Sequence, residues 1–314
     1  MRGNGFLHGW LEKLRAVVEG LPKDWRLRHS QFLTRSCLPD GGFAGRQGPA
    51  SAYYTSFGLR GLFLLGAVDE DLCRRCRRFL AELKPRDLPP ADLFAAIFSA
   101  PILGEHFLAD WDVTHQFASL ARPDGGFALT PAHGFGSVYG TYLVAESCSL
   151  LAVDLPSPGS AGSLAEKGKA SEVIVDFLLS RQRADGGFAE APFVPCGGTP
   201  ATAAALATFR LLESGPDLAV KKACKFLTSM QQENGGFLAA PTSPVPDLLS
   251  TAVALLVLHD RGMLSWEQRW RAGKFVAMCE KPEGGYGASP RDQDTDVEYT
   301  FYGVLAQAIL ACQV

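Results

Sequence analysis

Two kinds of helical stretch alternate along this chain. The first kind, over roughly 24–36, 70–83, 106–121, 164–182, 217–232 and 265–279, mixes apolar positions with charges such as Arg181, Arg183, Lys221, Lys222 and Glu267. That is the pattern of a helix with one wet face. The second kind, over roughly 51–66, 91–103, 137–152, 199–213, 247–260 and 296–312, is apolar nearly all round, as in Ala201-Thr202-Ala203-Ala204-Ala205-Leu206-Ala207. A helix apolar on every side is buried. The period-two alternation of strands is missing. Six amphipathic helices alternating with six buried ones predict an all-α fold, an α/α toroid with six outer and six inner helices. An open superhelix is the rival layout, but it would not need buried helices so uniformly apolar. A further helix near 6–20, in a capping segment over 1–23, precedes the first pair. Repeat units share one core, so residues 1–314 read as a single domain.

Between the two kinds of helix a turn signal recurs: Asp40-Gly41-Gly42-Phe43, Asp124-Gly125-Gly126-Phe127, Asp185-Gly186-Gly187-Phe188, Asn234-Gly235-Gly236-Phe237 and Glu283-Gly284-Gly285-Tyr286. A signal returning at long intervals marks an internal repeat. Glycines just past a helix end suit positive φ, and the aromatic that follows plugs the space between neighbouring helices. The interval from Gly125 to Gly186 holds a loop insert, Pro156 to Ser163. The one from Gly41 to Gly125 is long enough for two units. Its second unit starts after the break at Pro85 to Pro90, runs on from Asp92 to Phe98, and has lost its glycines.

Composition narrows the function classes. The 314 residues are 47% hydrophobic with a formal net charge of -3, which leaves no nucleic-acid footprint. The basic run Arg74, Arg75, Arg77, Arg78 reads as a solvated helix face. No apolar run reaches the ~18 residues of a membrane span, and no N-terminal stretch resembles a signal peptide. Eight scattered cysteines fit a reducing cytoplasm better than a disulfide framework. Cys73-x-x-Cys76 lacks a second pair or a nearby His and reads as structural.

Candidate chemistry gathers at the starts of the buried helices. Ser51, Asp92, Ser137, Thr199, Asp247 and Asp296 stand there as N-caps. Helices running the same way would converge their open N–H groups on one mouth, which would attract anions such as phosphate. Six of the seven tyrosines, Tyr53, Tyr54, Tyr139, Tyr142, Tyr299 and Tyr302, fall in the first turns of three buried helices. They can line an apolar pocket with polar tips, or simply fill the centre. The run Asp292-Gln293-Asp294-Thr295-Asp296-Val297-Glu298 can bind a divalent cation such as Mg²⁺, or raise the pKa of one member into a useful acid. A helix cap with solvated loop charges explains it equally. The six histidines make no ligand-spaced set, and only His133, in a loop before a buried helix, is kept as a rim candidate. There is no Walker-type loop and no nucleophile elbow.

Gly41-Gly42-Phe43-Ala44-Gly45-Arg46 with Tyr53-Tyr54-Thr55-Ser56-Phe57-Gly58-Leu59, and the stretches Asn234 to Leu258 and Glu283 to Leu310, resemble the protein prenyltransferase β-subunit and squalene cyclase superfamily. The resemblance runs from about residue 24 to the end. It implies an α/α toroid with an isoprenoid-binding central cavity, in which Tyr53, Tyr54, Tyr139, Tyr142, Asp247, Tyr299 and Tyr302 would meet a prenyl diphosphate or another isoprenoid. It also implies an α-subunit-like protein partner. The family's zinc ligands are an Asp, a Cys two residues on, and a His from the next inner helix. Asp247 keeps the first position, but Leu249 and Tyr299 hold the other two, so no cofactor is expected and no metal ligands are assigned. The class II cyclase acid motif meets the same obstacle at Leu249; Asp294 and Asp296, one repeat later, are then the candidate catalytic acids. A non-catalytic lipid-binding module or interaction scaffold is the alternative. Elemental analysis of the purified protein is expected to find no stoichiometric zinc; one tightly bound zinc per chain would overturn the placement of Leu249 and Tyr299.

Overall fold

The computed structural model describes residues 5–108, 111–156 and 169–312. Among them are thirteen α-helices, and the extended pairings are isolated bridges. Helix α1 spans Phe6–Glu19. The amphipathic series is α2 Lys23–Arg35, α4 Glu70–Ala81, α6 Val113–Leu120, α8 Lys169–Arg181, α10 Asp217–Ser229 and α12 Trp266–Cys279. The buried series is α3 Ala52–Leu64, α5 Pro90–Leu103, α7 Val138–Leu151, α9 Thr199–Leu211, α11 Leu248–Asp260 and α13 Val297–Ala311. The alternation read from the sequence is therefore the alternation observed.

The helix expected over 106–121 is shorter than its pattern. Asp112 caps it by accepting the His115 N–H (3.1 Å), and a separate 3₁₀ turn, Glu105–Leu108, precedes it. After Pro156 the insert lies outside the described residues, as does the start of the stretch expected over 164–182. No helix among the described residues is long and apolar enough to cross a membrane.

The chain gathers into two compact units. One holds α6 to α10, with the buried helices α7 and α9 packed together and α8 and α10 laid against them. The other holds α2 to α5, α11 to α13 and most of α1. In it the buried helices pack in the order α11, α13, α3, α5, so the last repeat lies against the first. The turn at Gly284 seats this junction. Gly284 has φ +93° and its Cα faces the Arg28 carbonyl of α2, where a Cβ has no room. The Gly285 N–H donates to Nδ1 of the fully buried His29 (3.0 Å), whose ring stacks on Tyr286 at 4.9 Å.

One hydrogen-bond relay recurs at every turn. The N–H of the turn aromatic donates to the Oγ1 of a buried threonine one turn into the following helix: Phe43 to Thr55 (2.9 Å), Phe127 to Thr141 (3.0 Å), Phe188 to Thr202 (2.9 Å), Phe237 to Thr251 (3.0 Å) and Tyr286 to Thr300 (3.1 Å). In four of these the same hydroxyl donates to the carbonyl four residues back: Ser51, Ser137, Asp247 and Asp296 (2.6–2.7 Å). The five aromatics and five threonines are fully buried, so each bond satisfies groups that water cannot reach. Thr251→Val keeps the shape and removes the acceptor for Phe237. Leaving that N–H unpaired is expected to cost about 1–3 kcal/mol in denaturant unfolding, with Thr251→Ser losing less.

Candidate functional site

The starts of the buried helices carry the acids that the sequence marks, among them the buried Asp296. Four caps stand as the sequence predicts: Ser51, Ser137, Asp247 and Asp296 accept from Tyr54, Gly140, Ser250 and Tyr299 N–H groups (2.7–3.2 Å). Two do not. Pro89 occupies the cap of α5, and Asp92 instead accepts the Tyr53 N–H of α3 (2.9 Å). Gly198 caps α9, and Thr199 turns its hydroxyl to the Leu238 carbonyl (2.6 Å).

These two departures belong to a wider pattern. The next repeat fills the N–H groups that a helix start leaves open. Within the first unit, Glu190 accepts both the Ser137 hydroxyl and the Tyr139 N–H (3.1 Å) at α7. The Ala239 carbonyl accepts the Thr199 N–H (2.7 Å) at α9. Within the second unit, Asp92 serves α3 and the Ala288 carbonyl accepts the Leu248 N–H (2.8 Å) at α11. The open N–H groups expected to attract phosphate are thus already occupied at α3, α7, α9 and α11.

At the start of α13 the link is ionic. Arg46, three residues past Phe43, donates to Asp296 (3.1 Å) and, through two nitrogens, to Asp292, and it lies 3.8 Å from the Asp294 carboxylate. The acidic run therefore folds around a guanidinium. Hydrogen bonds donated to Asp292, with the charge of Asp296, raise the Arg46 pKa. Burial acts to raise Asp292, but Arg46 and the Ala288 and Asp294 N–H groups outweigh it and hold the carboxyl below the usual range. Asp294 is largely exposed, with 78% of its side chain accessible.

Around this link the second unit places a wall of rings. Tyr53 packs edge-on against Tyr54 (5.3 Å) and Phe57 (4.9 Å), and Phe57 meets Phe301 (5.5 Å) and Tyr302 (5.6 Å). Arg60, buried in α3, lies over Phe57 (4.5 Å) and Phe301 (4.6 Å). The Tyr53 hydroxyl donates to Glu298 (2.9 Å). Tyr299 is half-buried; burial, with the charges of Glu298, Asp247 and Asp296, pushes its hydroxyl up to about 12. In the first unit Tyr139 is exposed and stacks on buried Tyr142 (6.2 Å). His133 lies exposed on its loop against Phe135. A pocket of about 310 Å³ in the second unit is lined by Trp25, Gly273, Ala277, Glu280, Gln307 and Leu310 among others, and by none of the tyrosines.

Burial raises the carboxyl pKa values of Asp247, Asp296 and Glu298, and of Glu190 in the first unit, with their hydrogen bonds only partly opposing it. Holding these acids ionised near neutrality costs stability, as functional sites commonly do. Arg46, Arg60 and Glu190 are not marked as site residues by the sequence, and Glu298 enters only as the last member of the acidic run. Arg60 was legible as the one charge in an otherwise uncharged buried helix, and Glu190 as the residue two past a turn aromatic. Nothing local marks Arg46 as the partner of residues 246–250 positions away. Leu249, two residues past Asp247, and Tyr299, three residues past Asp296, carry an aliphatic and a phenol. Among the described residues no three His, Cys, Asp or Glu side chains converge as a metal-ligand set.

The chain belongs to the family described as the prenyltransferase alpha-alpha toroid domain, whose model matches residues 14–213 and 159–313. No curated protein matches it by sequence. Among solved structures it is similar to Candida albicans protein geranylgeranyltransferase-I complexed with GGPP, with TM-score 0.67, 14% identity and 90% of each chain covered. It is also similar to the type II terpene cyclase MstE from Scytonema in complex with its substrate geranylgeranyl dihydroxybenzoate (TM-score 0.55, 14% identity, 97% of this chain and 98% of that one). A third similar structure is the GH76A alpha-1,6-mannanase from Salegentibacter sp. HEL1_6 (TM-score 0.64, 13% identity, 95% and 99%). At these identities the likeness is one of fold, the α/α toroid.

The sign of the acid shifts gives a test of the site's electrostatics. A carboxyl with a raised folded pKa contributes stability that is fully present below its unfolded value, about 4, and lost as pH rises through the folded value. Asp292 has the opposite sign, its contribution being present above about 4 and lost as pH falls through the depressed value. Glu298→Gln mimics the protonated acid. It is expected to raise stability at pH 8 by on the order of 1 kcal/mol and to leave it unchanged at pH 4, as read by melting at the two pH values.

Proposed function

We propose that the protein binds an isoprenoid chain against the ring wall of the second unit, formed by Tyr53, Phe57, Phe301 and Tyr302, with Tyr54, Tyr299 and Asp247 beside its head. Tyr139 and Tyr142 offer a smaller ring surface in the first unit. The family supports an isoprenoid, as do two of the structural neighbours, whose complexes hold GGPP and a geranylgeranyl benzoate. The observation that carries the reading is the occupied, acidic rim. The helix-start N–H groups at α3 and α11 are filled, Arg46 is spent on three aspartates, and Arg60 lies buried among phenylalanines. A diphosphate therefore has little to bind, and an uncharged head such as an alcohol or a phenol fits better. The protein works without the family's zinc.

The raised acids favour a second reading, acid-initiated cyclisation of a polyene. There Asp296 and Glu298 would hold the proton against an apolar chain, with Asp294 at the exposed edge. An α-subunit-like partner and a cytoplasmic location belong to the proposal in either form.

Geranylgeraniol, a geranylgeranyl phenol and GGPP, titrated against the protein by native mass spectrometry, separate these readings. The neutral compounds are expected to bind at least about tenfold more tightly than GGPP, a difference of 1.4 kcal/mol, and Tyr302→Ala is expected to weaken them. Tighter binding of GGPP would reverse the headgroup assignment, and no binding of any compound would favour a scaffold. Cyclised product that disappears in Asp296→Asn would support the second reading.

A further inference from the structure

Where the first repeat meets the last, the pocket of about 310 Å³ lies between α2, α12 and the end of α13. Its size is at the lower end for cavities that hold small molecules. The wall is apolar at Leu21, Trp25, Gly273 and Leu310 and polar at Glu280 and Gln307, and none of these belongs to the ring wall. Two features of it are not explained by packing. The first is Gly273, which stands inside α12, where glycine is the least favourable residue apart from proline. No close approach requires it, since a Cβ there would meet only Leu310, at 4.0 Å. What the glycine provides is room in the pocket.

The second is the polar end. Glu280 Oε1 accepts from Arg28 (2.6 Å) and from His29 (3.3 Å), which leaves Oε2 to accept from the pocket. His29 Nδ1 already accepts the Gly285 N–H (3.0 Å), so Nε2 carries the ring proton and the imidazole is neutral. Burial acts to raise the Glu280 pKa, but the hydrogen bonds from His29 and Arg28 outweigh it and hold the carboxyl below the usual range. Trp25 lies edge-on to His29 (4.7 Å), which stacks on Tyr286 (4.9 Å). The phenylalanines of the other four turns carry no hydroxyl. That of Tyr286 is buried with no partner within hydrogen-bond distance, as is Nε of Arg28. Burial, then the charge of Glu280, pushes the phenol pKa up. Polar groups left unpaired in this way cost stability, and they gather at one end of the cavity.

We propose that this pocket is a second ligand site, for a small uncharged alcohol with an apolar ring. The ring lies on Trp25 in the space beside Gly273. The hydroxyl donates to Glu280 Oε2 and accepts from the Trp25 indole or the Gln307 amide. Charge decides the class. A carboxylate or phosphate would face the ionised Glu280. An ammonium would face Arg28, already paired with that carboxylate at 2.6 Å. A hydroxyl both donates and accepts and brings no charge to either. The site does not depend on the isoprenoid reading of the ring wall.

Benzyl alcohol, benzylamine and benzoate share one ring and differ in the charge of the head, so they test the assignment by saturation-transfer NMR titration of the full chain at neutral pH. Benzyl alcohol is expected to bind at least about tenfold more tightly than either charged compound. Gly273→Leu is expected to weaken it by at least about tenfold while the melting temperature holds or rises, because the new side chain fills the pocket and not the core. Gly273→Ala, which meets nothing, is expected to raise the melting temperature and to weaken binding less. Tyr302→Ala is expected to leave benzyl alcohol binding unchanged, and Gly273→Leu to leave geranylgeraniol binding unchanged, so each site fails alone. Equal or tighter binding of benzylamine or benzoate would overturn the headgroup. No binding of benzyl alcohol, full binding by the folded Gly273 variants, or loss of binding in Tyr302→Ala would overturn the site.

Discussion

The fold depends on a hydroxyl that works in two directions. Each conserved-geometry threonine, from Thr55 to Thr300, accepts the N–H of a turn aromatic, and most return a bond to the carbonyl at the helix start. A turn and the helix after it are thereby fixed to each other inside the core, where neither group has water as a substitute. The aromatic ring is fully buried in every copy. After Phe43, Phe188, Phe237 and Tyr286 the next two or three residues run across to the start of a neighbouring repeat's helix.

That direction sets the electrostatics. Because the turns at Phe188, Phe237 and Tyr286 carry an acceptor, and the turn at Phe43 a cation, onto a neighbouring helix start, N–H groups that could have made an anion site at α7, α9 and α11 are used inside the protein. What remains at the surface of these helix starts is carboxylate and phenol. In the second unit they stand over a wall of phenylalanine and tyrosine with Arg60 beneath it. Acids held there above their normal proton affinity are an expense to the fold, and their neighbourhood of rings is the physical basis for reading the region as a site for an apolar molecule.

The helix pattern was almost fully legible, because a buried helix and a half-wet one differ at every turn of sequence. The caps at Ser51, Ser137, Asp247 and Asp296 were legible because a cap is a local device. Asp92 and Thr199 were misread for the same reason: both are cap residues by type, but their partners belong to another repeat. The Arg46 link to Asp292 and Asp296 was illegible, since no local rule connects residues so far apart in the chain. In the local view the acidic run reads as a metal or acid site without the Arg46 counter-charge that the fold adds.

The Arg46 and His29 contacts also set a timetable. Both residues belong to the first repeat, and both partners, the 292–296 run and the turn at Gly285, belong to the last. On a ribosome emitting on the order of 5–20 residues per second, the second unit cannot close until almost the whole chain has emerged. α3 must spend that interval with the face that will receive α13 uncovered. α7 and α9 find each other over a much shorter stretch of chain. Loop closure over such distances is slow, so nascent chains should recruit holding chaperones chiefly through the apolar surface of α3 and its neighbour α5.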